Sequence, residues 1–167
     1  WSDNRTGNYQ LFMATTSGDQ SATITVDYGQ DWNLVGLPLE VEDASYNLIF
    51  PESIEGTLYS FDDGYSLETS LIQGKGYWLR FESAGSTTIT GTPVTELTIS
   101  LNEGWNLISG ITNSFHSSHI HDPDGLVIPG TIYGFTPNGY SEAEILYPGK
   151  GYWIRANNSG NIILASD

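Results

Sequence analysis

Gly74-Lys75-Gly76-Tyr77-Trp78-Leu79-Arg80 is written a second time as Gly149-Lys150-Gly151-Tyr152-Trp153-Ile154-Arg155, 75 residues further on. Trp32-Asn33-Leu34-Val35 returns in the same way as Trp105-Asn106-Leu107-Ile108. Between them, Gly56-Thr57-Leu58-Tyr59-Ser60-Phe61 matches Gly130-Thr131-Ile132-Tyr133-Gly134-Phe135. Self-similarity at a fixed spacing identifies a duplicated unit, and it decides the fold before any single element does. The units are residues 20–92 and 93–167, with Pro93 at the seam. Residues 1–19, including Asn8–Met13, read as a terminal strand or the tail of a preceding domain, and the abrupt opening at Trp1 reads as a piece cut from a longer protein.

Within each unit the pattern is that of strands. Thr23-Ile24-Thr25-Val26 and Leu97-Thr98-Ile99-Ser100-Leu101 alternate polar with apolar. Each runs through a short polar turn into its Trp-Asn-Leu phrase, which predicts a hairpin. Asp62-Asp63-Gly64 and Pro137-Asn138-Gly139 carry the Asp-Gly and Asn-Gly pairs of tight β-turns. A short helical turn is expected around Ala44 to Asn47, and Thr87–Thr90 and Ile162–Leu164 supply closing strands. About six strands per unit give an all-β protein, packed as tandem small barrels or as one β-sandwich-like body.

Composition narrows the functional classes. Twenty acidic against five basic residues give a net charge of −15. That field repels nucleic acid, anionic membranes and, without a bridging cation, sulfated or uronic polysaccharides. A neutral partner or a cation suits it better. The chain has no cysteine, so neither a disulfide nor a thiol nucleophile is available. No apolar run reaches the roughly 18 residues of a membrane span. No nucleophile elbow is present and every histidine lies in one loop, so the chain is expected not to be an enzyme.

Alternation along a strand assigns faces. Trp32 shares its face with Leu34, and Trp105 with Leu107, so both indoles read as core anchors. Tyr77 shares a face with Leu79 and Phe81, and Tyr152 with Ile154. Trp78 faces the same way as Arg80, and Trp153 the same way as Arg155, making an indole–guanidinium face open to water. Such a face either shields itself by stacking and ion pairing or offers a platform for a sugar ring. Tyr65 and Tyr140, on the adjacent hairpin tips, extend that platform. Lys75 and Lys150 read as turn cations at the strand entry, because no helix follows to make a phosphate loop.

The histidines cluster in His116-Ser117-Ser118-His119-Ile120-His121-Asp122. In an extended chain His119 and His121 share a face, with His116 or Asp122 completing a zinc or copper set. The acidic tips at Asp62-Asp63-Gly64 and Asp122-Pro123-Asp124-Gly125 are turns that have some of the ligands for Ca²⁺ but not the spacing of a known loop. No other cofactor is expected.

Gly104-Trp105-Asn106-Leu107-Ile108-Ser109 with Pro148-Gly149-Lys150-Gly151-Tyr152-Trp153-Ile154 resembles a tandem repeat of large secreted bacterial proteins, covering residues 20 to 165. The first copy departs from it in having Asp31 before Trp32 and Ile72-Gln73 before Gly74. The resemblance implies a secreted, extracellular, non-catalytic accessory module, covalently attached to catalytic or adhesin domains. Carbohydrate-binding modules are common companions in such proteins. The expected function is therefore carbohydrate binding in a secreted polysaccharide-degrading enzyme, through Trp78, Trp153, Arg80, Arg155, Tyr65 and Tyr140. A structural or adhesion spacer and a metal-binding module are the alternatives.

Overall fold

The structure, a computed structural model, describes residues 20–166. The opening segment with Asn8–Met13 lies outside the described residues. The N-terminal half contains β1 (Ala22–Tyr28), β2 (Asp31–Gly36), β3 (Leu39–Glu40), a one-turn helix (Tyr46–Ile49), β4 (Tyr59–Phe61), β5 (Tyr65–Leu67), β6 (Gly76–Phe81) and β7 (Gly85–Pro93). The C-terminal half contains β8 (Glu96–Leu101), β9 (Gly104–Ser109), β10 (Phe115–His116), a 3₁₀ turn (Ser117–His119), β11 (Tyr133–Thr136), β12 (Gly139–Glu142), β13 (Ile145–Leu146), β14 (Gly151–Ala156) and β15 (Gly160–Ala165). The protein is all-β, and its strand ladders are antiparallel.

The hairpins expected between β1 and β2, and between β8 and β9, do not form. β1 pairs with β7 and β2 with β6, while β8 pairs with β15 and β9 with β14. The polar turn is a corner that carries the chain from one sheet to the next. At that corner Asp31 has φ 73° and Gly104 φ 96°. An asparagine locks each corner: Asn33 bonds Gly29 N–H and donates to the Gly29 and Asp31 carbonyls. Asn106 does the same with Asn102 and Gly104. Tyr28 pairs with Gly85 and Asp31 with Phe81 across the same bend, so two bent strands stay paired as they fold over. The result in the N-terminal half is a sheet ordered β1-β7-β3 beside a sheet ordered β2-β6-β4-β5. In the C-terminal half β15-β8 and β10-β13 accompany β12-β11-β14-β9. No sheet among the described residues closes on itself. The β4–β5 and β11–β12 hairpins form as their Gly-containing tips predict.

Each half has its own core. One gathers Val26, Val35, Leu39, Phe50, Leu58, Tyr77, Leu79 and Phe81, with Tyr28 and Phe81 stacked at 3.7 Å. The other gathers Ile99, Ile108, Leu146, Tyr152, Ile154, Ile162 and Leu164. Tyr77, Leu79 and Phe81 thus face inward as their alternation requires. Leu34 and Leu107 are also buried, yet neither belongs to a core cluster. They are covered by the opposite half: a Cβ at Gly151 would lie 3.2 Å from Leu34 Cβ, and one at Gly76 2.9 Å from Leu107 Cγ.

The halves meet through the repeated phrases. Val35 bridges Lys150, and Ile108 bridges Lys75. Gly36 N–H donates to the Gly149 carbonyl and Ser109 N–H to the Gly74 carbonyl, each at 3.1 Å. Gly74 and Gly149 have φ of 83° and 78°, in the left-handed region that favours glycine. A Cβ at Gly76 would stand 2.5 Å from the Ile108 carbonyl oxygen, and one at Gly36 2.1 Å from Ser109 Cβ. Only one of positions 36 and 109 can therefore carry a side chain.

Gly76→Ala is expected to destabilise the protein by about 2 kcal/mol, in the range of other overpacked interiors. Gly134→Ala, whose Cβ meets only ordinary contacts at 3.5 Å, is the neutral control in urea unfolding. Gly36→Ser alone should destabilise as well, whereas Gly36→Ser with Ser109→Gly should recover most of the loss. Equal unfolding midpoints for the single and double variants would show that the two backbones do not cross this closely.

Candidate functional site

β2 and β6 put Trp32 opposite Arg80 and Leu34 opposite Trp78, and Tyr59 of β4 lies opposite Trp78. These side chains share the face of the sheet that points away from its own core. β9, β14 and β11 repeat the arrangement with Trp105, Arg155, Leu107, Trp153 and Tyr133. The core assignment for Trp32 and Trp105 is thereby corrected. They are 37% and 41% exposed, because the Leu on their face is buried by the other half and not by the core. The competing alternation Val35-x-Leu37-x-Leu39, buried throughout, marked the true core face.

The aromatic side chains enclose two grooves. One, of about 390 Å³, is lined by Trp32, Tyr59, Tyr65, Trp78 and Phe135. The other, of about 410 Å³, is lined by Trp105, Tyr133, Tyr140, Trp153 and Phe61. Each takes four rings from one half and a phenylalanine from the other. Trp78 meets Phe135 edge-on at 4.8 Å, and Trp153 meets Phe61 at 4.9 Å. Trp32 stands at 87° to Trp78, 6.4 Å between centroids, and Trp105 stands at 87° to Trp153 at 6.3 Å. Two perpendicular indoles form a corner that offers one ring face and one ring edge. Phe61 also touches Tyr65, and Phe135 touches Tyr140, so the hairpin tips take part in both grooves.

The expected residues Trp78, Trp153, Tyr65 and Tyr140 all line these grooves, with the two tyrosines more than half exposed. Arg80 and Arg155 reach over the neighbouring indole and not the one on their own strand: each guanidinium carbon lies 6.0 Å from the ring centroid, Arg80 over Trp32 and Arg155 over Trp105. Arg80 Nε also donates to Asp31 Oδ1 at 2.6 Å. Arg155 has no such ion pair among the described residues. Sequence reasoning missed Trp32, Trp105, Tyr59, Tyr133, Phe61 and Phe135. For Tyr59, Tyr133 and the two phenylalanines the signal was their repetition beside the hairpin tips.

The grooves rest on a fixed floor. Tyr77 and Tyr152 are buried beneath the sheet, and each hydroxyl oxygen accepts from a backbone N–H just before the Gly-Lys-Gly phrase, Ile72 and Tyr147, at 2.8 Å. Burial pushes both hydroxyls up to about 12. Lys150 donates to the Asp27 carbonyl, and burial pulls its ammonium below the ordinary range against the pull of Asp27. Lys75 is exposed, so the two turn cations are not equivalent.

The histidine window does not extend as a strand. Ser117–His119 coils into a 3₁₀ turn, with His116 Nδ1 against Ser118 Oγ at 2.8 Å and the His116 and His119 rings 6.1 Å apart. His121 pairs through its backbone with Ile163. Both Asp122 oxygens accept backbone bonds, from Leu126 and Val127 at 2.8 Å. Among the described residues no three metal-binding side chains converge, and no helix is long and apolar enough to cross a membrane.

An unfolded tyrosine ionises near 10, whereas Tyr77 and Tyr152 hold their protons to about 12 in the fold. Their contribution to stability is complete below pH 10 and is lost as pH rises through the folded value. Urea unfolding at stepped pH should show stability falling across that window. The double variant Tyr77→Phe with Tyr152→Phe should be less stable at pH 8 yet show a shallower fall.

Comparison with known proteins finds no matching family model, no matching characterised protein and no matching solved structure.

Proposed function

We propose that the protein is a carbohydrate-binding module: two units of one duplicated sequence, closed face to face, each presenting an aromatic groove to a glycan. The observation that carries this reading is the pair of perpendicular indoles in each groove. A pyranose has an apolar face of C–H groups that packs against an indole, while its rim of hydroxyls needs polar partners at the edge. The grooves themselves are lined by ring surface, and the polar group beside each is the guanidinium of Arg80 over Trp32 or of Arg155 over Trp105. A cationic ligand fits less well, because the Arg80 and Arg155 guanidinium groups beside Trp32 and Trp105 repel it.

The net charge of −15 agrees with a ligand that is neutral over most of its length. The repeat resemblance supports a secreted, extracellular accessory module carried beside catalytic or adhesin domains. A spacer or adhesion role is the second reading. It draws on the Gly-Lys-Gly phrases, whose repetition is accounted for by the contact between halves. The exposed indoles favour the first.

Affinity electrophoresis in gels containing a β-glucan, a xylan or a galactomannan tests this. At least one polymer should retard the protein. Trp32→Ala and Trp105→Ala should each weaken retardation several-fold, and the double variant should abolish it. Trp78→Ala and Trp153→Ala should weaken it too, with some loss of stability. Unretarded migration in a broad panel of neutral and acidic glycans would favour the spacer.

A further inference from the structure

The two grooves are built alike but differ in one charge. In the N-terminal half the Arg80 guanidinium lies over Trp32 and is paired with Asp31. In the C-terminal half the matching residue before the tryptophan is Gly104, and Arg155 has no carboxylate within ion-pair distance among the described residues. Arg155 is nevertheless held in the same place. Its guanidinium carbon lies 6.0 Å from the Trp105 centroid, as Arg80 does from Trp32, and its backbone N–H is fixed by Thr131 Oγ1 at 3.2 Å. The orientation therefore comes from the indole and the strand, not from an ion pair. The Nε–H and the charge that Asp31 engages in one groove have no carboxylate partner in the other among the described residues.

Resting on the glycan reading, we propose that the groove of Trp105, Tyr133 and Trp153 selects a sugar carrying a carboxylate, a uronate unit, while the groove of Trp32, Tyr59 and Trp78 takes a neutral one. Arg155 is the specificity-determining residue. A carboxylate on a pyranose stacked in the indole corner accepts two parallel N–H bonds from a planar guanidinium, which a neutral hydroxymethyl or methyl ester cannot do. The acidic surface as a whole, at a net charge of −15, opposes an anion at long range. At physiological ionic strength exposed charges beyond about 8 Å are largely screened, so the contact at the guanidinium decides.

The test is calorimetry with a tri- or tetragalacturonate and with its methyl ester, a neutral ligand of the same backbone, on the protein as it exists. The acid should bind at one site per chain, roughly tenfold more tightly than the ester, as one charge-assisted contact predicts. Arg155→Gln should remove the preference. Gly104→Asp should remove it as well, by supplying the partner that Asp31 gives Arg80 at a corner of the same backbone conformation. Asp31→Gly should free Arg80 and create a second acid-preferring site. Near-UV circular dichroism identifies any variant that fails to fold. If neutral glycans bind and depend on the tryptophans, but the acid is not preferred or its preference survives Arg155→Gln, this inference falls and the glycan reading stands. If no glycan binds, neutral or acidic, both fall.

Discussion

The whole arrangement depends on one close approach: two backbones crossing where only one side chain fits. Gly36 and Ser109 meet at the centre, with Gly76 and Gly151 on either side, each against a strand of the other half. Backbone hydrogen bonds from Gly36 to Gly149 and from Ser109 to Gly74 hold the crossing. A β-strand can donate sideways to a neighbour only if the neighbour comes within about 5 Å. Here the neighbour reaches the open edges of β2 and β9, the end strands of their sheets, and the glycines keep that approach clear of side chains. The Gly-Lys-Gly phrase is thus spent on joining the halves. Its first glycine turns left-handed, its lysine backbone makes the bridge, and its second glycine clears the path.

The aromatic grooves follow from this contact. Bringing the outer faces of the two large sheets together buries Leu34 and Leu107 and leaves the tryptophans beyond them at the margin. It also brings Phe61 against Trp153 and Phe135 against Trp78, so neither groove is complete without the other half. The rings are positioned by backbone, not by one another. Trp32 and Trp105 follow corners clamped by Asn33 and Asn106, and Trp78 and Trp153 follow the crossing itself.

The sequence was legible where a rule acts locally. Alternation in Tyr77-Trp78-Leu79-Arg80 placed each residue on its proper face, and Asp63-Gly64 and Asn138-Gly139 marked true hairpin tips. Where two rules conflicted, the reading failed. β1 and β2 look like a hairpin because alternation continues on both sides of a polar turn. Yet Asp31 and Gly104 take a positive φ that bends the chain into the second sheet. Trp-x-Leu looks like a core face because the leucine is apolar and buried. What buries it is the other half of the molecule, a contact no periodicity records. The pairing of Arg80 with Trp32 was hidden for a related reason: cross-strand register, unlike alternation along one strand, requires knowing which strands are neighbours.

The correspondence between the two halves makes their remaining differences informative. At the crossing the two halves cannot be identical, since side chains at positions 36 and 109 would coincide, and the serine that survives has a buried hydroxyl with no hydrogen-bond partner among the described residues. That asymmetry is steric and needs no functional cause. The difference at Asp31 and Gly104 is of another kind. Both residues occupy the same left-handed corner, which glycine enters freely and aspartate enters at some cost. The aspartate is placed where its carboxylate meets Arg80, an exposed pair that contributes little to stability. A strained residue holding a weak salt bridge gains the fold almost nothing. What it changes is the charge presented at one groove and not at its counterpart, and that is a difference a ligand can read.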